Sequence, residues 1–536
     1  MSGHRPEVAG LRRPWPRSRR SHAAVTAASH LARMQHETSF DAIIIGSGFG
    51  GTMAAQRFID AGWSVLMLER GPWVRRSPEN WAPSQIGPHT TYCSPDAPYR
   101  DRPGDRASTI RTFFCVGGPS VFYGGVSLRF RPEDFAPAPD VVTDSGAAWP
   151  FELAELEPYY QEAERLLDVS NGPLGQTSRR LDAAARSLGM TPVRLPLAIR
   201  RRAAGPKPGC VDCPTCDGFA CAIGAKNDLA TGILPRLIER GLVLRPETVV
   251  TRLVERGGRI RSVQAIGPDG RRIEFFGRQI VLAAGALGSP HLVLTSGLQR
   301  ISPAGPAVGR YLTRHINSAV IGLFPRRQNV ERRFVKQLGF FDHYRSEDGA
   351  KLGSIQQLAT PPAAYVQAEA PWPLGHLAGG VVDRLLGLLT IAEDQPRATN
   401  GLTIEGKTMD RFGMPLGVIR HTYTARDQWS DDALRQVARR ILKAAGAVVC
   451  YCHPIRTFSH ALGTLRMGTD PRTSPVDRDG RLRGVENLWV TDGSALPRSG
   501  GVNPSLTIAA MGLRTADHAL ALAPAHLDDE VYHAVS

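Results

Sequence analysis

A glycine-rich turn between two short apolar strands constrains the fold of this chain more than any other feature. The run Asp41-Ala-Ile-Ile-Ile45 is β-branched and uninterrupted, as in a strand buried on both faces of a parallel sheet. The turn Gly46-Ser-Gly48-Phe-Gly-Gly51 follows, and the stretch from Thr52 to Ala61 is predicted to be a helix. This order of strand, glycines and helix predicts a dinucleotide whose phosphates face the helix N-terminus.

The three spaced glycines have separate tasks in such a turn. Gly46 allows the tight turn, Gly48 lets the backbone approach a pyrophosphate, and Gly51 permits close packing of the helix on the strand. A second apolar strand, Ser64-Val-Leu-Met-Leu68, leads to Glu69, which lies 23 residues after Gly46. An acid at this position can accept hydrogen bonds from a ribose diol, and it disfavours a 2'-phosphate.

The turn alone does not separate FAD from NAD, and a later segment favours FAD. Residues 278–285 form an apolar strand that ends in Ala283-Ala-Gly285. Small residues at the carboxyl end of a strand suit a backbone packed close to a ligand. We therefore expect an α/β protein with a Rossmann-like FAD-binding lobe.

Length and composition indicate an ordered protein with more than one lobe. At 536 residues the chain exceeds the size at which one hydrophobic core stops growing. Apolar residues at 42% and charged residues at 21% are typical of ordered soluble domains. No run approaches the roughly 18 apolar residues of a membrane span. The apolar stretch from Leu377 to Leu389 holds Asp383 and Arg384, and it is predicted to be a buried or lid helix.

The net charge of +15 is partly local. Residues 1–33 hold seven arginines and one acid, Glu7, so this tail carries +6 of the total. Because no lysine-rich block with interleaved aromatics follows, nucleic-acid binding is disfavoured. We expect a disordered basic tail over residues 1–39, or a start codon upstream of the real one at Met34. Eight cysteines in 536 residues do not make a disulfide scaffold, so the cytoplasm is the default compartment. Arg19-Arg20 precede no strongly apolar stretch, so export through an atypical arginine-rich N-terminus is the weaker alternative.

Five blocks of sequence resemble the glucose-methanol-choline (GMC) oxidoreductases, a family of FAD-dependent enzymes that oxidise alcohols, and the chain is similar to its bacterial dehydrogenases. Together they extend from residue 41 to about residue 520. The blocks are the turn region Gly46 to Glu69, Val116 to Gly125 with Arg129 and Asp134-Phe135, Ala283 to Pro290 with Ser296-Gly297, Gly309 to His315, and the C-terminal set His460 to Gly468, Val476-Asp477, Asn487 to Ser494 and Asn503-Pro504 with Thr507.

The resemblance implies the residues of the site. Alcohol oxidation by hydride transfer needs a base beside the substrate hydroxyl, and a neutral imidazole suits that task. His460 aligns with the family's catalytic histidine, and Asn503 aligns with its His or Asn partner, which would orient the alcohol. The implied FAD-binding residues are Gly46, Gly48, Gly51, Glu69, Gly117, Gly118, Gly124, Val250, Ala284, Gly285, Asp492, Gly493, Pro504 and Thr507.

The family fold also implies a division into lobes. The FAD-binding lobe would be assembled from residues 40–150, 200–315 and 450–525. An α+β substrate-binding lobe with an antiparallel sheet would come from residues 151–199 and 316–449. Thr403-Ile-Glu405 resembles a strand, which supports this division.

Four cysteines, Cys210, Cys213, Cys216 and Cys221, are close enough in sequence to converge on one metal or cluster. Similar segments occur in bacterial relatives, and some of those with related cysteines hold an iron-sulfur cluster. A ferredoxin run would have three residues between the last two cysteines, whereas this chain has four. An iron-sulfur cluster, a structural metal, a disulfide and free thiols all remain open.

We therefore expect FAD-dependent oxidation of a CH-OH group in a polar small molecule such as a sugar, an aminocyclitol or a small alcohol. Tyr123 stands where many family members have asparagine, so the electron acceptor (O2, a quinone, a dye or a partner protein) is open. A flavin-binding lyase on the same scaffold is the alternative. A binding protein that kept only the fold is disfavoured by the intact His460 and Asn503.

Overall fold

The computed structural model describes residues 38–522 apart from 95–97, 102–107, 111, 206, 214, 329–335, 359, 361, 364–365, 368–378 and 456. The predicted tail over residues 1–39 lies almost wholly outside the described residues. From Phe40 onward the chain packs as one compact unit. Within the described ranges, no helix combines the length and the apolar character needed to cross a membrane.

The strands are short, and most are buried. In chain order they are β1 (Ser39–Ile45), β2 (Val65–Leu68), β3 (Cys93–Ser94), β4 (Tyr99–Asp101), β5 (Ser108–Thr109), β6 (Thr112–Phe113), β7 (Val193–Arg194), β8 (Val243–Arg245), β9 (Val249–Arg256), β10 (Arg259–Ile266), β11 (Arg272–Leu282), β12 (Ile316–Leu323), β13 (Leu338–Phe340), β14 (Gly353–Leu358), β15 (Leu385–Ala392), β16 (Gly401–Met409), β17 (Pro415–Arg420), β18 (Val449–Ile455) and β19 (Leu488–Val490).

The longer helices lie between these strands and at the C-terminus. They are α1 (Phe49–Asp60), α2 (Leu153–Leu166), α3 (Gln176–Ser187), α4 (Leu234–Glu239), α5 (Gly285–Thr295), α6 (Ala425–Ala444) and α7 (Ser505–Ala521). Short helical turns occur at Pro132–Phe135 and Pro139–Val142, and 3-10 turns occur at Pro78–Trp81, Pro83–Gln85, Gly87–His89, Gly118–Val121, Leu298–Arg300, Gly305–Ala307, Val382–Arg384 and Gly493–Ala495.

A seven-stranded sheet contains the predicted βαβ unit. Its order is β8-β2-β1-β11-β10-β9, with β19 also paired to β11. β1 is parallel to β2, and β2 is parallel to β8. The second half of β11 is parallel to β19, whereas its first half joins the antiparallel β9-β10 hairpin. Separated segments therefore build a Rossmann-like sheet, as the sequence predicts.

A six-stranded sheet has the order β18-β12-β15-β14-β13-β7, and its neighbours are antiparallel. Leu434, Ala438 and Ile441 of α6 pack with Val320 and Leu388 of the sheet in one buried cluster. This sheet confirms the antiparallel element of the predicted fold class. The assignment of residue ranges to two lobes stays a prediction.

The expected helix over Leu377 to Leu389 is wrong from Val382 onward, although Gly379 and Gly380 are helical. Residues 377–378 lie outside the described part, and Val382–Arg384 forms a single 3-10 turn. The apolar residues that follow form β15, a central strand buried along nearly all its length between β12 and β14. A strand covered on both faces is apolar at consecutive positions, so periodicity cannot distinguish it from a buried helix.

A four-stranded sheet, β16-β17-β4-β5, contains the predicted strand at Thr403. After β17, Thr424 caps α6: its Oγ1 accepts from the amide of Asp427 at 3.2 Å, and the Asp427 carboxylate accepts from the Thr424 amide at 2.9 Å. This reciprocal pair satisfies two amides that a helix end leaves without partners. It fixes where the connection from the four-stranded sheet turns into α6.

Candidate active site

The Gly46 turn is shaped by contacts that only glycine permits. Gly46 has φ of +105°, and a Cβ there would lie 2.3 Å from the carbonyl oxygen of Ala283. A Cβ on Gly51 would lie 2.1 Å from the Gly46 oxygen, and one on Gly50 would lie 1.9 Å from the Thr491 oxygen. The carboxyl ends of β1, β11 and β19 and the start of α1 therefore meet at backbone contact distance.

Gly48 differs from its neighbours because the space beside it is open. Nothing lies within 4 Å of the position that its Cβ would occupy, and its φ is −69°. Gly48 is also the N-cap residue of α1, and no side chain caps that helix. Exposed amides and the positive end of the helix dipole favour an anion at this point. The turn therefore fits the pyrophosphate of a dinucleotide.

The second glycine-rich segment packs directly on this turn. The amide of Gly117 donates to Ser47 Oγ at 2.9 Å. A Cβ on Gly118 would lie 3.5 Å from the Cα of Gly48, and both Gly117 and Gly118 have positive φ. Gly124 faces another part of the chain, because its Cβ would meet the carboxylate of Asp217 at 2.8 Å. Gly117 and Gly118 therefore lie against the turn.

Glu69 is buried at the end of β2 and is held by backbone and side-chain donors. Its Oε2 accepts from the amide of Ser47 at 3.0 Å and from Ser47 Oγ at 2.6 Å, and its Oε1 accepts from the Gly71 amide at 2.9 Å. Burial raises the pKa of this carboxyl, and these donors oppose the shift. Glu69 thus braces the turn, and its hydrogen bond to a ribose stays a prediction.

Asp492 links the C-terminal segment to the strand of residues 278–285. One oxygen accepts from the Gly285 amide at 2.9 Å and from Ser289 Oγ, and the other accepts from the Ser494 amide at 2.8 Å. Burial raises the pKa of Asp492, although each of these hydrogen bonds favours the charged form. The bonds hold the first turn of α5, after Ala284, against the segment that carries Gly493.

The remaining predicted FAD-binding residues lie on two elements of this core. Pro504 is the N-cap residue of α7, and Thr507 in its first turn shares a 2.8 Å hydrogen bond with the hydroxyl of Tyr160. α7 packs closely on α1, since a Cβ on Gly512 would lie 2.7 Å from the Gly50 oxygen. Val250 is a core residue of β9. The contact of these residues with FAD stays a prediction.

His460 is half-buried, and its ring meets a second histidine. Its Nδ1 lies 3.0 Å from Nδ1 of His315, and the two rings are nearly perpendicular at 88°. Burial lowers the pKa of His460 well below its usual value, and positive charge on His315 or Lys336 would lower it further. The imidazole is therefore neutral at physiological pH, as a proton acceptor must be.

The loop that precedes α7 connects His460 with Asn503. His315 Nε2 lies 2.9 Å from the carbonyl oxygen of Ser499 and 3.0 Å from that of Gly500. Three residues later, Oδ1 of Asn503 accepts from Nε2 of Gln356 at 2.8 Å. His460 is thus tied through His315 to the loop on which Asn503 lies, and the side chain of Asn503 is held by Gln356 of β14.

The sequence did not identify His315 or Gln356 as part of this site. His315 ends the fourth block of the resemblance, so the sequence shows a histidine at that position. Its partner His460 lies 145 residues further along the chain, and the sequence does not indicate that contact. Gln356 belongs to β14, in a region without a matching motif. Only the packing of the six-stranded sheet against the loop brings these side chains to His460 and Asn503.

The four clustered cysteines line one cavity of about 10 Å³ together with Lys226. That volume is about the minimum that a single water needs. All four are free cysteines, and no group of three or more His, Cys, Asp or Glu side chains in the described part of the chain is placed to hold a metal ion. Burial raises the pKa of Cys210 to about 11 and that of Cys216 to about 12. This arrangement supports neither an iron-sulfur cluster nor another metal, and it fits free thiols.

Family models match most of the chain. The N-terminal model described as GMC oxidoreductase matches residues 40–317, and the C-terminal one matches residues 396–512. The matched ranges contain the Gly46 turn, the Asp492 segment, His460 and Asn503.

Similar proteins extend over nearly the whole length. Paromamine 6'-oxidase of Streptomyces fradiae is 32% identical over 517 residues, which cover 89% of this chain and 90% of that protein. 6'''-hydroxyparomomycin C oxidase of Streptomyces lividus is 32% identical, covering 94% and 97%. The crystal structure of pyridoxine 4-oxidase from Mesorbium loti has a TM-score of 0.67 at 21% identity, covers 89% and 98% of the two chains, and supports the same fold.

Proposed function

Because the chain belongs to the GMC oxidoreductase family, whose members are FAD-dependent, we propose that it oxidises a CH-OH group of a polar small molecule. FAD, when bound, would accept the hydride from the alcohol carbon. The relatives named for paromamine and 6'''-hydroxyparomomycin C favour an amino sugar linked to an aminocyclitol as the substrate. A simple sugar or a small alcohol is the next class to test.

One observation carries the proposal: His460, a neutral histidine, is tied through His315 to the loop on which Asn503 lies. His460 would take the hydroxyl proton of the alcohol. Gln356 donates to Oδ1 of Asn503, and this bond directs the amide nitrogen of Asn503 toward another acceptor. That nitrogen would donate to the substrate oxygen as negative charge develops on it.

The residues around the Gly46 turn would hold the cofactor. The open position beside Gly48 and the uncapped start of α1 would receive the pyrophosphate. Glu69 would accept from the ribose. Gly117 and Gly118, which pack on the turn, would form the adjoining wall.

An anaerobic substrate screen tests this function. Paromamine, fructose and 2-methyl-1,2-propanediol are added separately to the holoenzyme, and bleaching of the flavin absorbance is followed. We expect paromamine to bleach the flavin most rapidly, and later addition of O2 or a dye identifies the acceptor. If an alcohol is consumed without bleaching, the protein is a lyase; if none of a broad set of alcohols is consumed, the proposal is wrong.

Variants test the two side chains once a substrate is known. We expect His460→Ala to slow flavin reduction by about 100-fold or more and Asn503→Ala by about 100-fold. His453→Ala is the matched control, because His453 is exposed on β18. Reduction rates of the His460 and Asn503 variants within a few-fold of the parent would contradict the assigned roles.

A further inference from the structure

His315 is buried, and the hydrogen bonds of its ring assign its proton. The side chain is 1% exposed, and Nε2 faces the carbonyl oxygens of Ser499 and Gly500 at 2.9 and 3.0 Å. A carbonyl oxygen can only accept a hydrogen bond, so Nε2 must carry a hydrogen. A neutral imidazole has one N–H, and Nδ1 of His315 is therefore an acceptor.

This assignment determines the proton of His460 as well. The two Nδ1 atoms lie 3.0 Å apart, and since that of His315 accepts, that of His460 must donate. The single proton of neutral His460 is then on Nδ1, and its Nε2 keeps a free lone pair. Burial lowers the pKa of both histidines, so the neutral pair persists at physiological pH.

We propose that His315 is a positioning residue that holds the proton of His460 on Nδ1 and thereby presents Nε2 as the atom that takes the substrate's hydroxyl proton. This inference rests on the proposed function for its catalytic consequence. The O–H bond of the alcohol breaks and its proton forms an N–H bond at Nε2, while the hydride from the alcohol carbon would pass to FAD, when bound, and leave a carbonyl. The resulting imidazolium still donates from Nδ1 to His315, so the hydrogen bond persists after the transfer.

Three further contacts fix His315 in this orientation. Its amide donates to Oδ1 of Asp394 at 3.0 Å, and its carbonyl oxygen accepts from the Tyr423 hydroxyl at 2.7 Å. The same Asp394 oxygen accepts from Ser499 Oγ at 2.9 Å. Asp394 therefore joins the backbone of His315 to the loop whose carbonyl oxygens orient the ring. His315 also has φ of +60°, a conformation that asparagine adopts more readily than most residues.

Two substitutions of His315 distinguish the roles of its two ring nitrogens. His315→Asn places an amide oxygen near the position of Nδ1, so it can still accept from His460. His315→Gln places its amide group near the position of Nε2, so it can donate to the carbonyl oxygens but leaves Nδ1 of His460 without an acceptor. We expect His315→Gln to lower kcat by about 100-fold or more with little change in KM, and His315→Asn to stay within about 10-fold of the parent.

Nitrogen NMR of the holoenzyme with 15N-labelled histidine gives a readout independent of turnover. We expect Nδ1 of His460 to be protonated and Nε2 unprotonated in the parent and in His315→Asn, and this preference to be lost in His315→Gln. His460→Gln identifies the signals. Thermal unfolding and FAD content show whether each variant is folded, and the parent spectrum tests the proposal even if His315→Gln fails to fold.

The outcomes separate this inference from the proposed function. If no alcohol bleaches the parent flavin, the function is wrong, and the NMR spectrum still tests the proton assignment. A proton on Nε2 of His460 in the parent would overturn the inference, as would equal losses of kcat in both folded variants.

Discussion

The contrast between Gly48 and Gly51 offers a direct test of how the turn binds FAD. Both glycines belong to one six-residue segment, but their surroundings differ. A methyl group on Gly51 would lie 2.1 Å from the Gly46 oxygen and 2.9 Å from Cβ of Ala283, whereas one on Gly48 would meet no atom within 4 Å. The substitutions Gly48→Ala and Gly51→Ala therefore add the same atom in opposite environments.

The expected magnitudes follow from these distances. Overpacking in a close-packed interior costs about 1–3 kcal/mol, and Gly51→Ala should reach the upper end because the opposing atom belongs to the backbone. Gly48→Ala should change the stability of the apoprotein by no more than about 0.5 kcal/mol, since its backbone conformation suits alanine. Its methyl group would occupy the pyrophosphate position. Loss of one hydrogen bond to a charged group costs about 1.5–3 kcal/mol, which weakens FAD binding about 10- to 150-fold.

Two measurements distinguish these effects. Urea unfolding of the apoproteins reports stability, and titration with FAD, followed by quenching of flavin fluorescence, reports affinity. We expect Gly51→Ala to shift the urea midpoint and Gly48→Ala to shift the FAD dissociation constant alone. Parent-like FAD affinity in Gly48→Ala would refute the placement of the pyrophosphate, and parent-like stability in Gly51→Ala would refute the close contact of α1 with the turn.

Three other measurements test separate parts of the structure. Burial holds the pKa of His460 well below 6.5, and the neutral form is the proposed base. The rate of flavin reduction should therefore be constant around neutral pH and fall only below pH 6.5. An inflection above pH 6.5 would contradict the assignment of His460 as the base. Thr424→Ala should destabilise the protein by about 0.5–2 kcal/mol through loss of the α6 cap, whereas Thr424→Ser should be close to the parent in the same denaturation experiment. Since burial raises the pKa of Cys216 to about 12, its thiol should react slowly with iodoacetamide at neutral pH. The iron and zinc content should be far below one ion per chain, and a stoichiometric amount of either metal would show that the four thiols can rearrange around an ion.

The sequence predicted the strands and turns whose conformation is set by residues close together in the chain. The β-branched run ending at Ile45 and the glycines after it are confirmed as strand and turn, although α1 begins at Phe49 rather than Thr52. β15 was not predicted, because uninterrupted burial removes the alternation that identifies a strand.

The sequence by itself determined the dinucleotide turn, the family and the residue types at the site, because glycine conformations and short motifs are properties of neighbouring residues. Only the tertiary structure supports the proposal that Nε2 of His460 is the nitrogen free to take a proton. The carbonyl oxygens of Ser499 and Gly500 assign the proton of His315, and His315 in turn assigns that of His460. Asp394 accepts from both the His315 amide and the Ser499 hydroxyl, so it holds the histidine and the loop together. A proton's location is set by donors and acceptors within about 3 Å, and folding brings these groups together from distant positions in the chain.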